Sequence, residues 1–149
     1  MLEVTKIFRF ETAHAIYGYQ GPCQNIHGHS YELHVTLASL QSYPEYIPGP
    51  GFFIDFKELK KWVKEAIIDP LDHKLILSSD FMKANPGLSE LPNIEVWACE
   101  PSAENMLLHF RQLLEKKMPA GVRLFAMRLY ETRDSYAEWK QEDPGPAAR

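Results

Sequence analysis

Apolar and polar residues alternate along two early segments of the chain, and this alternation predicts two neighbouring β-strands. Residues 4–13 alternate in this way and lead to His14. Residues 30–40 alternate again, with apolar side chains at every second position from Tyr31 to Leu37. A period of two with one apolar face is typical of an antiparallel sheet that packs on one side. We therefore expect an antiparallel pair of strands with a buried face.

Two later segments have the spacing of amphipathic helices. Asp55 and Glu58 have capping-box spacing at the start of the first helix, and Pro70 is expected to end that helix. Ser102 is the expected N-cap of the second helix. The predicted inward residues are Phe56, Leu59, Val63, Ala66 and Ile67 in the first helix, and Met106, Phe110, Leu113 and Leu114 in the second.

The remaining segments are a loop, a weakly patterned stretch and two strands. Residues 41–51 are rich in proline and glycine and predict a loop, whereas residues 74–92 have no clear period. Residues 93–98 predict a short strand, and residues 122–131 predict a longer one. One face of that last strand carries Phe125, Met127, Leu129 and Glu131.

Length, charge and cysteine content limit the class of protein. The chain has 149 residues, so we expect one domain, over residues 1–141. The net charge of −4 argues against a nucleic-acid partner. Residues 142–149, which are rich in proline and small residues, are expected to be a disordered tail. No apolar run reaches the roughly 20 residues that cross a membrane. With only two cysteines and no signal-peptide pattern, a reduced cytoplasmic protein without a membrane partner is expected.

Three histidines form the first candidate site. His27 and His29 flank a glycine, so on a strand both side chains point to the same face, and His14 ends the preceding strand. Three imidazoles leave one coordination position for water or substrate, as in catalytic zinc sites. A His-x-His pair alone more often consists of ordinary polar strand residues, so the third histidine matters. Cys23 is either a fourth ligand or a nearby reactive thiol.

Three further residues are candidates for chemistry or recognition. Asp72 and His73 are adjacent, and a carboxylate that orients an imidazole makes a general acid or base; an ordinary helix-terminal histidine is the alternative. Glu131 ends an apolar row, and is either a pocket anchor or the first solvated residue beyond the core. A buried structural thiol is the alternative interpretation of Cys23, and Cys99 fits that description better than Cys23 does.

Six motifs together resemble the 6-pyruvoyl-tetrahydropterin synthase family, and they keep the family's order across residues 10–132. The motifs are Phe10-Glu11-Thr12-Ala13-His14, Cys23-x-x-x-His27-Gly28-His29, Asp55-Phe56-x-x-Leu59-Lys60, Leu71-Asp72-His73, Pro101-Ser102-Ala103-Glu104-Asn105 and Tyr130-Glu131-Thr132.

The resemblance implies an α+β tunnelling fold, in which an antiparallel four-stranded sheet is backed by two helices. It also implies a homo-oligomer in which sheets close into a barrel, expected as a hexamer built from two trimers, with active sites between subunits. By the matching motifs, it implies zinc binding by His14, His27 and His29, catalysis by Cys23, Asp72 and His73, and substrate binding by Glu131, Ser102 and Glu104.

The branch that the chain resembles most is the 6-carboxytetrahydropterin branch of queuosine biosynthesis, because three residues separate Cys23 from His27. That branch implies a carbon–carbon lyase that converts 7,8-dihydroneopterin triphosphate to 6-carboxytetrahydropterin, acetaldehyde and triphosphate. Two alternatives remain: a pyruvoyl-type synthase that eliminates triphosphate from the same substrate, and a zinc-containing module that binds a pterin without turnover.

Overall fold

A computed structural model describes residues 1–142, which form one six-stranded sheet with the two longest helices packed on one face. The strands are β1 (Glu3–His14), β2 (His27–Ser39), β3 (Lys74–Ser78), β4 (Ile94–Trp97), β5 (Val122–Thr132) and β6 (Ser135–Lys140). Their order across the sheet is β4-β3-β1-β2-β5-β6. Apart from residue 142, the predicted tail lies outside the described residues. None of the helices in residues 1–142 has the length and apolar character needed to cross a membrane.

The two predicted helices begin directly after their predicted capping residues. The helical segments are α1 (Phe56–Val63), a π-helical turn (Lys64–Ile68), α2 (Asp69–Leu71), α3 (Ser79–Ala84) and α4 (Ala103–Glu115), with 3-10 turns at Pro22–Gln24 and Pro86–Glu90. Asp55 accepts a hydrogen bond from the Lys57 N–H at 2.8 Å, and Ser102 accepts one from the Asn105 N–H at 3.2 Å. The first helical run passes Pro70 and ends one residue later, so the predicted stop is slightly early.

The antiparallel part of the sheet confirms the predicted strand pair. β1 pairs with β2 along its whole length, so that Phe10 lies opposite Tyr31. The alternating inward side chains are buried, and the Phe10 ring stacks on Tyr31 at 5.2 Å and meets Phe110 of α4 edge-on at 6.2 Å. The main core therefore lies between the sheet and the helices α1 and α4. The opposite face is polar over most of β1 and β2, but at β3 it carries a second apolar cluster, in which Leu75 and Leu77 pack against α3.

The sheet has two more strands than predicted, and they flank the antiparallel strands on opposite sides. β3 pairs in parallel with the end of β1, and β4 pairs in parallel with β3. Four of the five β3 residues are buried, so this strand has no alternating pattern that a sequence reading could detect. β6 pairs with β5 and forms the far edge of the sheet.

Two predicted inward residues are exposed or displaced. Phe56, at the first position of α1, is 49% exposed, and its ring lies 5.8 Å from the Lys6 ammonium. Phe125 has no partner on β2, because Thr36 pairs with Ala126 and Leu37 pairs with Leu124. Because of this irregularity, the buried row that includes Met127 continues through Leu124 and not through Phe125. A β-bulge has this effect, since two residues of one strand then lie opposite one residue of its partner.

Candidate active site

The three predicted histidines meet at one end of the sheet. His14 lies directly opposite His27 in the β1–β2 ladder, and His29 lies two residues further along the same face of β2. One ring nitrogen from each histidine lies within 4.8 Å of the other two. Within residues 1–142 this is the only such group, and Cys23 is not a member of it. The geometry thus favours the nearby-thiol alternative for Cys23 over a fourth ligand.

Backbone carbonyls set the proton positions on two of the histidines. His14 Nδ1 lies 2.6 Å from the Pro101 carbonyl oxygen, and His27 Nδ1 lies 2.7 Å from the Asn25 carbonyl oxygen. Because a carbonyl only accepts, each Nδ1 carries the hydrogen and each Nε2 presents a lone pair. The two Nε2 atoms face each other at 3.2 Å. Facing lone pairs at this distance are stabilised by a cation, and metal-ligating histidines commonly have such carbonyl partners.

The third histidine supplies an independent test of whether a metal fits here. His29 Nε2 is buried and has no hydrogen-bond partner within residues 1–142. An unsatisfied buried polar atom costs about 1–3 kcal/mol, which a metal–ligand bond would remove. Burial also lowers the pKa of His14 and of His29, which keeps both rings in the neutral form that binds metals. The residues present therefore fit a metal ion bound by three nitrogens.

A cleft of about 580 Å³ opens beside the histidines, between the end of β5, the start of β6 and the N-terminus of α4. It brings together five predicted site residues: His14, Cys23, Ser102, Glu104 and Glu131. Cys23 is exposed, and its 3-10 turn is held by a hydrogen bond from the Ile16 N–H to the Cys23 carbonyl at 2.8 Å. Cys99 is also exposed and free, so the expectation of a buried thiol is wrong.

Glu131 lies at the boundary between the cleft and the histidines. It follows Met127 and Leu129 on the inward row of β5, and its carboxylate oxygen lies 3.9 Å from His14 Nε2. The side chain is 29% exposed and lines the cleft. Of the two alternatives for Glu131, this position favours a pocket anchor.

Asp72 and His73 form the predicted pair but do not line the cleft of their own chain. Asp72 Oδ2 lies 3.0 Å from His73 Nδ1, while Asp72 Oδ1 accepts a hydrogen bond from the Glu11 N–H at 2.8 Å. The hydrogen bond from the Glu11 N–H and, to a smaller extent, the contact with His73 hold the pKa of Asp72 below its usual value. The His73 N–H donates to the Glu11 carbonyl at 2.6 Å, and the His73 side chain is 78% exposed. The pair is thus fixed to the outer edge of β1 with its imidazole exposed.

Sequence reasoning missed the residues that support the histidine cluster. The Pro101 and Asn25 carbonyls belong to irregular segments, and a backbone group has no sequence signal. Tyr31 is fully buried beneath the cluster, with its hydroxyl 3.4 Å from His14 Nδ1 and its ring centroid 5.4 Å from that of His29. Burial raises the pKa of Tyr31, so this hydroxyl keeps its proton. The alternation of β2 could have identified Tyr31, because it puts this residue on the same face as His27 and His29.

Comparisons with known proteins agree with the motifs and the fold. Residues 3–142 match the family model described as 6-pyruvoyl tetrahydropterin synthase. A Rickettsia felis protein named 6-carboxy-5,6,7,8-tetrahydropterin synthase is 29% identical over 142 residues, which cover 93% of this chain and 99% of the relative. A human protein named 6-pyruvoyl tetrahydrobiopterin synthase is 32% identical over 124 residues, which cover 82% of this chain and 72% of the relative.

A solved structure supports the fold independently. The Caenorhabditis elegans 6-pyruvoyl tetrahydropterin synthase superposes with a TM-score of 0.64 at 20% identity, covering 95% of this chain and 96% of that one. At this identity the structural similarity supports the tunnelling fold alone. The family match spans nearly the whole sequence, and on that ground the chain belongs to the 6-pyruvoyl tetrahydropterin synthase family.

Proposed function

We propose that the protein is a zinc-dependent carbon–carbon lyase of queuosine biosynthesis. It would convert 7,8-dihydroneopterin triphosphate and water to 6-carboxy-5,6,7,8-tetrahydropterin, acetaldehyde and triphosphate. The observation that carries the proposal is the cleft that joins the three-histidine cluster to an exposed thiol and a carboxylate. The names of the bacterial relatives support the carboxy branch.

Each cleft residue has a role that its position supports. Zinc held by His14, His27 and His29 would polarise the oxygens of the substrate side chain and acidify the neighbouring protons. Cys23 is exposed and lines the cleft, where its thiol group would accept one such proton. Glu131 offers two acceptor oxygens to the guanidine-like edge of the pterin, which is a charge-assisted interaction.

Ser102 and Glu104 complete the cleft at the N-terminus of α4. The Ser102 oxygen accepts the Asn105 N–H, which leaves the Ser102 hydroxyl hydrogen free to donate to a ligand. Glu104 lies in the first turn of α4 and is exposed. We assign both residues to substrate binding.

The free sheet edges offer a way for the Asp72–His73 pair of one copy to reach the cleft of a second copy. Within residues 1–142, β3 covers β1 only from Thr12 to His14, so the earlier part of that edge has no strand partner, and the outer edge of β6 has none. β1 and β6 run in opposite directions. A second copy can therefore place its β1 antiparallel on β6, continuing the sheet towards a closed barrel.

Such pairing would put a second copy's catalytic pair beside the cleft of the first. Asp72 and His73 are bound to Glu11, near the end of β1 that carries His14. In the antiparallel arrangement this end of β1 meets the start of β6, where Ser135 lines the cleft. The full acid/base set, Cys23 from one copy and Asp72 with His73 from the next, is then assembled between subunits in the proposed hexamer.

Subunit mixing tests the shared site. Cys23→Ala and His73→Ala proteins are each expected to be nearly inactive, because each lacks one half of every site. After unfolding and refolding together in equal amounts, about one quarter of the interfaces pair an intact Cys23 with an intact His73, as expected for head-to-tail contacts in a ring. Product formation should recover to that fraction of the parent. No recovery in a mixed oligomer of parental size would place both residues in one chain's site.

Glu131→Gln tests pterin recognition. The change keeps the shape of the side chain but replaces an acceptor oxygen with a donor, which faces the donors of the pterin edge. Losing a hydrogen bond to a charged group costs about 1.5–3 kcal/mol, so the affinity for neopterin should fall at least tenfold. Fluorescence titration measures the affinity, and elemental analysis should find the metal content unaltered. Unchanged affinity would make Glu131 a solvated strand end.

Product analysis decides between the carboxy branch and its runner-up. Mass spectrometry after incubation with 7,8-dihydroneopterin triphosphate should find 6-carboxytetrahydropterin together with acetaldehyde. The human relative favours a second candidate, a pyruvoyl-type synthase, which would release triphosphate without acetaldehyde. Substrate that is bound but unchanged would instead indicate the pterin-binding module.

A further inference from the structure

We propose that Tyr19 forms an aromatic wall of the cleft and packs against the planar two-ring system of the pterin. This inference rests on the proposed function, which makes a pterin the occupant of the cleft. Tyr19 lines the cleft with His14, Cys23 and Glu131, yet none of the family motifs includes it. Its ring is 50% exposed, so part of its surface is open to a ligand.

A turn directs Tyr19 towards the cleft and its neighbour Tyr17 away from it. Gly18 adopts a left-handed conformation with φ of 77°, which glycine takes without strain. Before the turn, the Tyr17 N–H donates to the Glu100 carboxylate at 2.7 Å, and the Tyr17 ring meets Phe81 edge-on at 6.4 Å. Tyr17 is 47% exposed but does not line the cleft, so the two tyrosines have similar exposure and different surroundings.

The absence of a side chain at Gly21 gives the Tyr19 ring its place. A Cβ at Gly21 would lie 2.5 Å from Tyr19 Cε1 and 2.9 Å from Tyr19 Cζ, which is closer than real contacts allow. Gly21 itself has an extended backbone, with φ of 170°, which any residue can adopt. A side chain at Gly21 would therefore displace the Tyr19 ring from its present position without straining the backbone.

The chemistry of this wall suits a flat heterocycle. Aromatic rings pack favourably on one another in offset or edge-on arrangements, and tyrosine does so with little loss of side-chain freedom. Glu131 would hold the guanidine-like edge of the pterin, while the histidine cluster would face its side chain. The cleft also contains Ile16, Ala103 and the Tyr136 ring, which already has the Tyr130 ring as a neighbour at 4.7 Å. Tyr19 adds a further aromatic surface, next to Cys23 and the histidine cluster, for the ring system.

The test is a neopterin titration of the zinc-loaded protein, followed by the intrinsic fluorescence of the pterin. Tyr19→Ala should weaken neopterin binding about tenfold, and Tyr19→Phe should stay within about threefold of the parent, because the packing surface is retained. Gly21→Ala should weaken binding by displacing the ring. The double variant Tyr19→Ala/Gly21→Ala should bind like Tyr19→Ala alone, since no ring remains to be displaced. Tyr17→Ala is the matched control and should bind like the parent.

The outcomes separate this inference from the proposed function. If the parent binds neopterin and Tyr19→Ala binds equally well, Tyr19 is not a wall of the site. An equal loss in Tyr17→Ala would mean that the whole segment is disturbed, and an equal loss in Tyr19→Phe would mean that the hydroxyl carries the effect; either result overturns the packing role. A parent that fails to bind neopterin would overturn the proposed function itself.

Discussion

Replacing His27 with alanine is expected to strip the protein of its metal and to abolish turnover. His27 Nε2 faces His14 Nε2 at 3.2 Å, so the change removes one of three converging donors. Changes in the supporting shell of a metal site typically cost about 10–100-fold in affinity, and the loss of a ligand should cost more. Elemental analysis after dialysis measures the metal, and product analysis measures turnover.

The matched control for this experiment is His34→Ala. His34 lies on the same strand but points to the opposite face, where its Nε2 lies 2.7 Å from the Glu32 carboxylate. This variant should retain its metal and its activity, because His34 contributes nothing to the cluster. If His27→Ala keeps its full zinc content, as His34→Ala is expected to do, the three histidines are not the metal site.

Replacing Cys23 with alanine is expected to lower turnover by about 10²–10⁴-fold, which is the usual contribution of a general acid or base. The sulfur lies outside the group of metal-ligand atoms, so zinc content should stay at the parental level. Neopterin affinity should also be retained, because Glu131 is intact. The rate of acetaldehyde release measures the effect.

Cys99→Ala is the control for the loss of a thiol as such. Both cysteines are exposed and free, but only Cys23 lines the cleft, so the Cys99 variant should be as active as the parent. A Cys23→Ala enzyme with nearly parental activity would make Cys23 a bystander. Loss of zinc from that variant would reopen its role as a fourth ligand.

Local patterns predicted the three-histidine cluster well because strand periodicity is a local property. Alternation puts His27, His29 and Tyr31 on one face whatever the strand pairs with, and the same face of β1 ends in His14. The caps Asp55 and Ser102 were likewise predictable, because a cap bonds to backbone groups two or three residues away. The motifs then indicated which chemistry these residues share.

Predictions failed where long-range pairing decides the outcome. Phe125 follows the alternation of β5 but is displaced by the irregular pairing with β2, which no local pattern encodes. β3 is covered by neighbours on both sides, so its apolar run has no period, and β6 is a short edge strand. The parallel pairing of β3 with β1 joins segments about 60 residues apart, far beyond any window of sequence.

The sequence by itself determined which residues are candidates for the chemistry, the faces that they share and the family to which the chain belongs, because these depend on residue type, spacing and motif order. Only the tertiary structure decided which of them meet. Folding joined His14 to His27 and His29, set the proton positions of His14 and His27 through the Pro101 and Asn25 carbonyls, and placed Glu131 and Cys23 at one cleft. It also fixed Asp72 and His73 to the outer edge of β1, away from that cleft, because their hydrogen bonds go to the backbone of Glu11.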